Sequence, residues 1–316
     1  MAAITSTNVA LAIVKLVAAE ALPPIMGNLV FGRLVNRDFE PTLAQYGDTV
    51  NVPIPPVMSA NNIAEGGTVT TQNPNLGNAQ IVLNTHAEST FQIPDVTKVL
   101  AVPDLLKTYL QPAVIAIVES IEQSIANLYP NMTYNAVTGA GSTVDEARID
   151  LAETQLFTAK VPPSQPKFLV VGSGTFGAMR QLSRFTEFQT MGWQAGGPGG
   201  VNGIMTADMA GAGPLGANGK IKDFLVFRSQ FIKTVSSVTY NMAFARDGIG
   251  LVIRRLPMPL PGTGAIAQYA EMGNFGVRII MSYAPNSLAQ QFTVDVLYGC
   301  SVLRNNFTQV VETNNS

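Results

Sequence analysis

One stretch, Pro103 to Tyr129, limits what this chain can fold into more than any other. Leu106, Leu110, Ala113, Val114, Ile117, Ile121, Ile125 and Leu128 recur there at spacings of three and four. On a helix they form one apolar stripe. Lys107, Gln111, Glu119, Glu122, Gln123 and Asn127 fall largely off it. Pro103 suits a first-turn position, and Asp104 complements the positive end of the helix dipole. Pro130 stops the run. At about 1.5 Å per residue the element is roughly 40 Å long. Pro112 has no N–H, so a kink or break is expected near Thr108. So long a helix among many short strands predicts a spine against which sheets pack. Taken alone, it is the core helix of an α+β domain.

Composition says what surrounds that spine. The 316 residues leave room for one large domain or two modest ones. Charged residues make up only 13% of the chain, against about 25% in an ordinary soluble domain. Fewer charges mean fewer solvated faces, which points to surface buried against other chains. Extracellular and membrane-associated proteins share this composition. A net charge of −2 provides no overall field to recruit nucleic acid or anionic lipid. The lone cysteine, Cys300, excludes an intrachain disulfide and a cysteine metal cluster.

The chain before the spine divides into two parts. Asn8 to Ala21 is apolar but interrupted by Lys15 and Glu20, and Pro23-Pro24 closes it. The run is too short to span a bilayer, and Met1 to Asn8 lacks the basic residues of a signal peptide. It reads as an amphipathic arm helix capped by Thr7 or Asn8 in a cytosolic chain. Gly32 to Tyr46 follows as a polar, extended piece, and residues 1 to 46 together, without a self-sufficient core, read as an arm that reaches onto something else. Next comes a ribbon. Val50, Val52 and Ile54 alternate with Thr49, Asn51 and Pro53, and the prolines at 53, 55 and 56 confine this strand to an edge. The return strand is predicted to run from Ala79 to Ile93. Its odd-numbered residues face one way, and its even-numbered ones, including His86, face the other. The tip between, Met58 to Asn78, is rich in Gly, Asn and Thr. A long two-stranded hairpin does not hold together alone in water. It needs a partner surface in its own chain or in a neighbour.

Beyond the spine, Thr143 and Glu146 form a capping-box pattern ahead of a helix to about residue 159. Phe168 to Val171 reads as a short buried strand, and residues 175 to 187 as a helix. Residues 192 to 219 are Gly-rich, a loop length that is usually functional or disordered. Ile221 to Ile232 returns to strand. Phe275 to Tyr283 and Phe292 to Val302 alternate strictly, with Ala284 to Leu288 between them, as a second hairpin.

Chemical motifs are few. Gly172-Ser-Gly-Thr-Phe-Gly177 matches the dinucleotide-binding spacing between a strand and a helix. No acidic strand end follows about twenty residues on, so a tight turn with Ser173 or Thr175 as N-cap explains it better. His86, the only histidine, sits mid-strand on the ribbon's polar face, a poor place for catalysis. Cys300 falls on the apolar face of the last strand as a small core residue. Arg33/Arg37 and Arg254-Arg255 read as surface or subunit ion pairs. No catalytic, cofactor-binding or metal-binding residue is assigned.

Three passages carry a resemblance. They are Leu34-Val-Asn-Arg-Asp-Phe39 with Gly47 to Pro55, Tyr240-Asn-Met-Ala-Phe-Ala-Arg-Asp247, and Gly276 to Ile280 with Asp295 to Arg304. With the element order, they resemble the major capsid (coat) proteins of tailed double-stranded DNA bacteriophages. The resemblance is to the Hong Kong 97-type capsid fold, in the coat branch of short-tailed Salmonella phages without its inserted domain. It implies an α+β fold with an N-arm (1–46), an extended E-loop hairpin (47–95), a peripheral domain (96–135 and 242–316, with the spine helix 103–129) and an axial domain (136–241). It implies self-assembly into hexamers and pentamers of an icosahedral shell around the phage genome, with no enzymatic role and no cofactor. Implied partners are other copies of the chain, a scaffolding protein, a portal, a cementing or decoration protein, and non-specific contact with packaged DNA, but no membrane. The implied location is the virion, assembled in the host bacterial cytoplasm. An encapsulin-type compartment and a soluble enzyme with a Gly-rich binding loop are the alternatives.

Overall fold

The computed structural model of the chain describes residues 29–39, 49–95, 103–132, 144–181, 219–221, 223–260, 263–272 and 275–314. The predicted arm helix Asn8 to Ala21, Thr143 of the capping box, residues 182 to 187 of the second predicted helix and the Gly-rich stretch up to residue 218 lie outside them.

Among the described residues a one-turn helix, α1 (Phe31–Leu34), comes before the ribbon strands β1 (Thr49–Ile54) and β2 (Gly77–Val82), then β3 (Thr85–Pro94) and the spine helix α2 (Pro103–Ala126). Next come α3 (Glu146–Thr158), β4 (Lys167–Val171) and α4 (Ser173–Gln181). Short strands follow: β5 (Gly219–Ile221), β6 (Phe224–Arg228), β7 (Thr234–Val235), β8 (Val238–Ala245) and β9 (Ile249–Arg254). The chain finishes with β10 (Ile266–Met272), β11 (Phe275–Ala284), β12 (Ala289–Val302) and β13 (Thr308–Asn314).

The spine helix runs unbroken through Pro112. The proline ring faces solvent, while Leu110, Ala113 and Val114 beside it are buried. Their packing outweighs the roughly 3 kcal/mol that an interior proline costs, so the expected break does not occur. The helix ends at Ala126, three residues earlier than predicted, and Tyr129–Asn131 form a 3-10 turn. Ile117, Ile121 and Ile125 share one core with Val277 and Ile279 of β11 and with Val294, Val296 and Tyr298 of β12, as the apolar stripe required. Tyr298 adds a polar fix: its hydroxyl lies 2.7 Å from Ser124 Oγ and 3.1 Å from Ser120 Oγ.

The sheet over the spine has five strands, in the order β10-β11-β12-β3, with β9 joining β12. Here the structure corrects the long-hairpin expectation. Residues 77 to 94 do alternate without interruption between sheltered odd and exposed even positions. Yet they form two strands, because only β2 pairs with β1, while β3 pairs with β12 from Thr85↔Tyr298 to Pro94↔Ala289. The partner surface lies in the same chain. β3 also touches the spine, through Phe91 stacked between Tyr109 and Phe292.

A second sheet has the order β13-β8-β4-β6-β5, with β7 on β8. Its centre, β4, is buried throughout and parallel to β6. Phe168 and Val170 face the spine core, and Leu169 and Val171 face a second core with Ile149, Ala152 and Leu156 of α3. Both faces of β4 are covered, which explains its unbroken apolar run. Of the predicted strand from Ile221 to Ile232, Phe224–Arg228 forms β6, and Ile221 ends β5, which pairs antiparallel with it. Asp145 occupies the cap of α3.

Candidate assembly surface

The ribbon is firm at its base and bare at its tip. Val50, Val52, Ile81 and Leu83 pack on Val252 and Leu303 in a small core of their own. On the opposite face Asn51 Oδ1 accepts hydrogen bonds from Asn78 Nδ2 at 3.0 Å and Gln80 Nε2 at 3.2 Å. Beyond that, residues 57 to 76 are exposed throughout and hold no strand. Val57 is 85% exposed, Val69 72% and Leu76 63%, with Met58 and Ile63 also open. Single exposed apolar side chains are ordinary, but several on one coreless projection mark a contact surface.

Gly299 fixes where the ribbon leaves the body. A Cβ at this position would sit 2.2 Å from the Val82 carbonyl oxygen, so the β2–β3 junction crosses directly over β12. Any larger residue would force the two backbone segments apart. A glycine inside an alternating apolar strand is a legible sign of such an approach, and the sequence reading overlooked it.

Of the arm, residues 29 to 39 are described, and this part is anchored on its own subunit. Leu29, Phe31, Leu34 and Val35 are buried in the main core. Glu122, which falls off the apolar stripe, is nevertheless not on an open face. That residue is fully buried, and its carboxylate accepts N–H groups from Val30 at 3.1 Å, Phe31 at 2.9 Å and Gly32 at 3.0 Å. Burial pushes the carboxyl up to about 7, while those three bonds and the Arg33 charge pull it the other way. No periodicity could have found this, since the arm comes from ninety residues away in sequence. Farther along, Asn36 N–H donates to Ile249 O and Asn36 O accepts from Leu251 N–H, both at 2.9 Å. Asn36 Nδ2 donates to Asp247 Oδ1 at 2.7 Å, Gln165 donates to the other oxygen of Asp247, and Arg246 pairs with Asp38. Two of the passages that carry the resemblance, 34–39 and 240–247, therefore meet.

The residues weighed for chemistry are spoken for. His86 stands in β3 of the five-stranded sheet, not on a free ribbon, and its Nε2 lies 3.1 Å from Asp295 Oδ2. Asp295, only 3% exposed, also takes the Arg278 guanidinium. Cys300 is half-buried, and desolvation pushes its thiol up to about 11, away from nucleophilic reactivity. At the Gly172–Gly177 turn, α4 starts at Ser173 itself, so neither Ser173 nor Thr175 is the N-cap. Gly172 N–H donates to Asn241 Oδ1 at 3.0 Å, and Asn241 Nδ2 donates to Val311 O and Thr313 Oγ1. A backbone donor that a phosphate cradle would use is thus engaged within the protein. Among the described residues no group of three His, Cys, Asp or Glu side chains could hold a metal ion. None of their helices is long and apolar enough to cross a membrane.

A long helix beneath an antiparallel sheet, a projecting ribbon and a second sheet sharing the same core define the Hong Kong 97-type capsid fold. Solved structures place the chain in that class. A chain from Mycobacterium phage Che8 superposes with a TM-score of 0.62 at 16% identity, over 90% of this chain and 91% of that one. One from the capsid of Ralstonia phage GP4 gives 0.60 at 10% identity over 92% of each. One from the holo-SrpI encapsulin complex of Synechococcus elongatus PCC 7942 gives 0.52 at 12% identity, over 90% and 87%. No protein-family model and no curated protein sequence matches the chain.

Proposed function

We propose that the chain is a major capsid protein that builds hexamers and pentamers of an icosahedral shell around phage double-stranded DNA. The exposed apolar ribbon, carried on a capsid fold, supports this reading most directly. A shell subunit repeats weakly charged contacts by symmetry, and an extension that embraces a neighbour adds avidity without one very strong contact. Its role is structural, and it needs no active site. In this reading residues 1–46 are the N-arm, 47–95 the E-loop, 96–135 and 242–316 the peripheral domain and 136–241 the axial domain. A scaffolding protein, a portal and a cementing or decoration protein are its partners in the host cytoplasm. With a net charge of −2, packaged DNA is contained without sequence-specific contact. The likeness to an encapsulin chain keeps a protein-filled compartment as the second reading.

The test is negative-stain microscopy of the expressed chain, alone and with co-expressed phage assembly proteins. Closed icosahedral particles or regular tubes support the reading, and nuclease-resistant DNA inside separates a phage head from a cargo compartment. Deleting Ala60 to Asn75 is expected to leave the circular dichroism of a folded subunit and abolish regular particles. A monodisperse monomer or dimer under every condition defeats the reading.

A further inference from the structure

The five-stranded sheet ends in an edge that no described strand covers. β10 pairs with β11 at every position from Ile266↔Met281 to Met272↔Phe275, without a bulge, and no described strand lies on its other side. Every second residue of an antiparallel edge turns its N–H and C=O outward. No backbone hydrogen bond reaches those groups of β10 from another described segment. We propose that β10 pairs antiparallel with β10 of a second copy, joining two five-stranded sheets into one continuous sheet across a two-fold axis.

The sequence leaves this edge unguarded. Open edges are ordinarily blunted by lysine, proline, a bulge or a covering element. β10 has no lysine and no proline. No Asp, Glu, Lys or Arg occurs from Leu256 to Ala270. The opposite edge of the same sheet differs. β3 exposes Glu88, ends at Pro94 and lies against the spine helix through Phe91 and Tyr109. A charge-free strand suits its own copy in particular. In a contact between identical surfaces a residue at the axis meets itself, and a charge there would repel its twin. Glu271 is the only charged residue of β10, and it stands off-centre.

The pleat fixes the register. Gln268 and Ala270 stand opposite Ile279 and Val277, which face the spine core, whereas Tyr269 belongs to the other face. A two-fold axis perpendicular to the sheet keeps each face on its own side. Side chains alternate along a strand, so that axis must pass through a residue and not between two. Overlap of the whole of β10 puts Tyr269 on the axis and position 271 opposite Ala267. The pairing needs only two copies, so it holds or fails apart from the shell.

Single cysteines decide it. Ile266→Cys, Ala267→Cys, Gln268→Cys and Tyr269→Cys are made one at a time in the full chain, each with Cys300→Ser so that only the introduced thiol can couple. At the axis a residue faces its twin across about 4.5–5.5 Å between Cα atoms, whereas one residue away the twin lies diagonally at about 7–8 Å, too far for a disulfide. After mild air oxidation, denaturing gels should show at least about tenfold more disulfide-linked dimer at one position than at its neighbours, Tyr269 for full overlap. Equal yields at all four positions, or none at any, overturn the proposal. Amide exchange of the wild type reads the same contact without a substitution. Peptides covering 266 to 272 should gain protection on passing from dilute to concentrated protein, and unchanged protection overturns the pairing. Particles without the coupling leave the shell reading standing and sink the pairing, whereas coupled dimers without particles do the reverse.

Discussion

Gly299→Ala isolates the point where the ribbon is fastened to the body. The new Cβ would lie 2.2 Å from the Val82 oxygen, 2.9 Å from the Val82 carbonyl carbon and 3.2 Å from Leu83 Cα. A carbon resting against a carbonyl oxygen needs about 3.3 Å, so the two chain segments must separate by about 1 Å. Every obstacle is backbone, which cannot rotate aside as a side chain does. Ile81 and Leu83 flank the contact and are fully buried, so moving the junction drags both from the small core beneath the ribbon. Overpacking typically costs about 1–3 kcal/mol, and the backbone obstacle puts this case near 3 kcal/mol. At roughly 2 °C per kcal/mol, the melting temperature should fall by about 6 °C. Gly177→Ala is the control. It lies inside α4 with open space around its Cβ, and removing a helical glycine there should add about 0.5–1 kcal/mol. Thermal unfolding followed by circular dichroism compares the two. A Gly299→Ala melting temperature within 1 °C of the wild type, or the same sign for both variants, would refute the contact argument.

Three more substitutions probe the spine. Ile121→Ala should cost about 2–5 kcal/mol in urea unfolding, because the side chain is fully buried, whereas exposed Gln123→Ala should stay within about 0.5 kcal/mol. Glu122→Ala should be destabilising by at least about 1 kcal/mol, because three buried N–H groups lose their acceptor. Its cost should be larger at pH 5 than at pH 8, since the wild type loses stability as pH rises from 4.5 toward 7 and the alanine variant does not. Equal costs at the two pH values, measured by urea unfolding, would contradict the raised carboxyl.

Periodicity alone determined much of this protein. The spine stripe, the alternation of residues 77 to 94 and the pairing of β11 with β12 were all legible, because burying one face of a helix or strand leaves a repeat of 3.6 or 2 in the chain. The resemblance also anticipated the fold class that the solved structures share. Periodicity says which face is buried, but not against what. Residues 85 to 94 alternate in the same way whether they pair with β1 or with β12, so only the tertiary structure could break the predicted hairpin at Leu83. Glu122 shows the same limit more sharply. A glutamate on a helix reads as solvated unless something brings it donors, and those donors are backbone N–H groups, which carry no side-chain signature in a sequence. The small spaces of the fold, at Gly299 and at Glu122, arise where segments distant in the chain come within hydrogen-bond reach or closer. Local pattern records the faces of elements, whereas these contacts are set by how the elements meet.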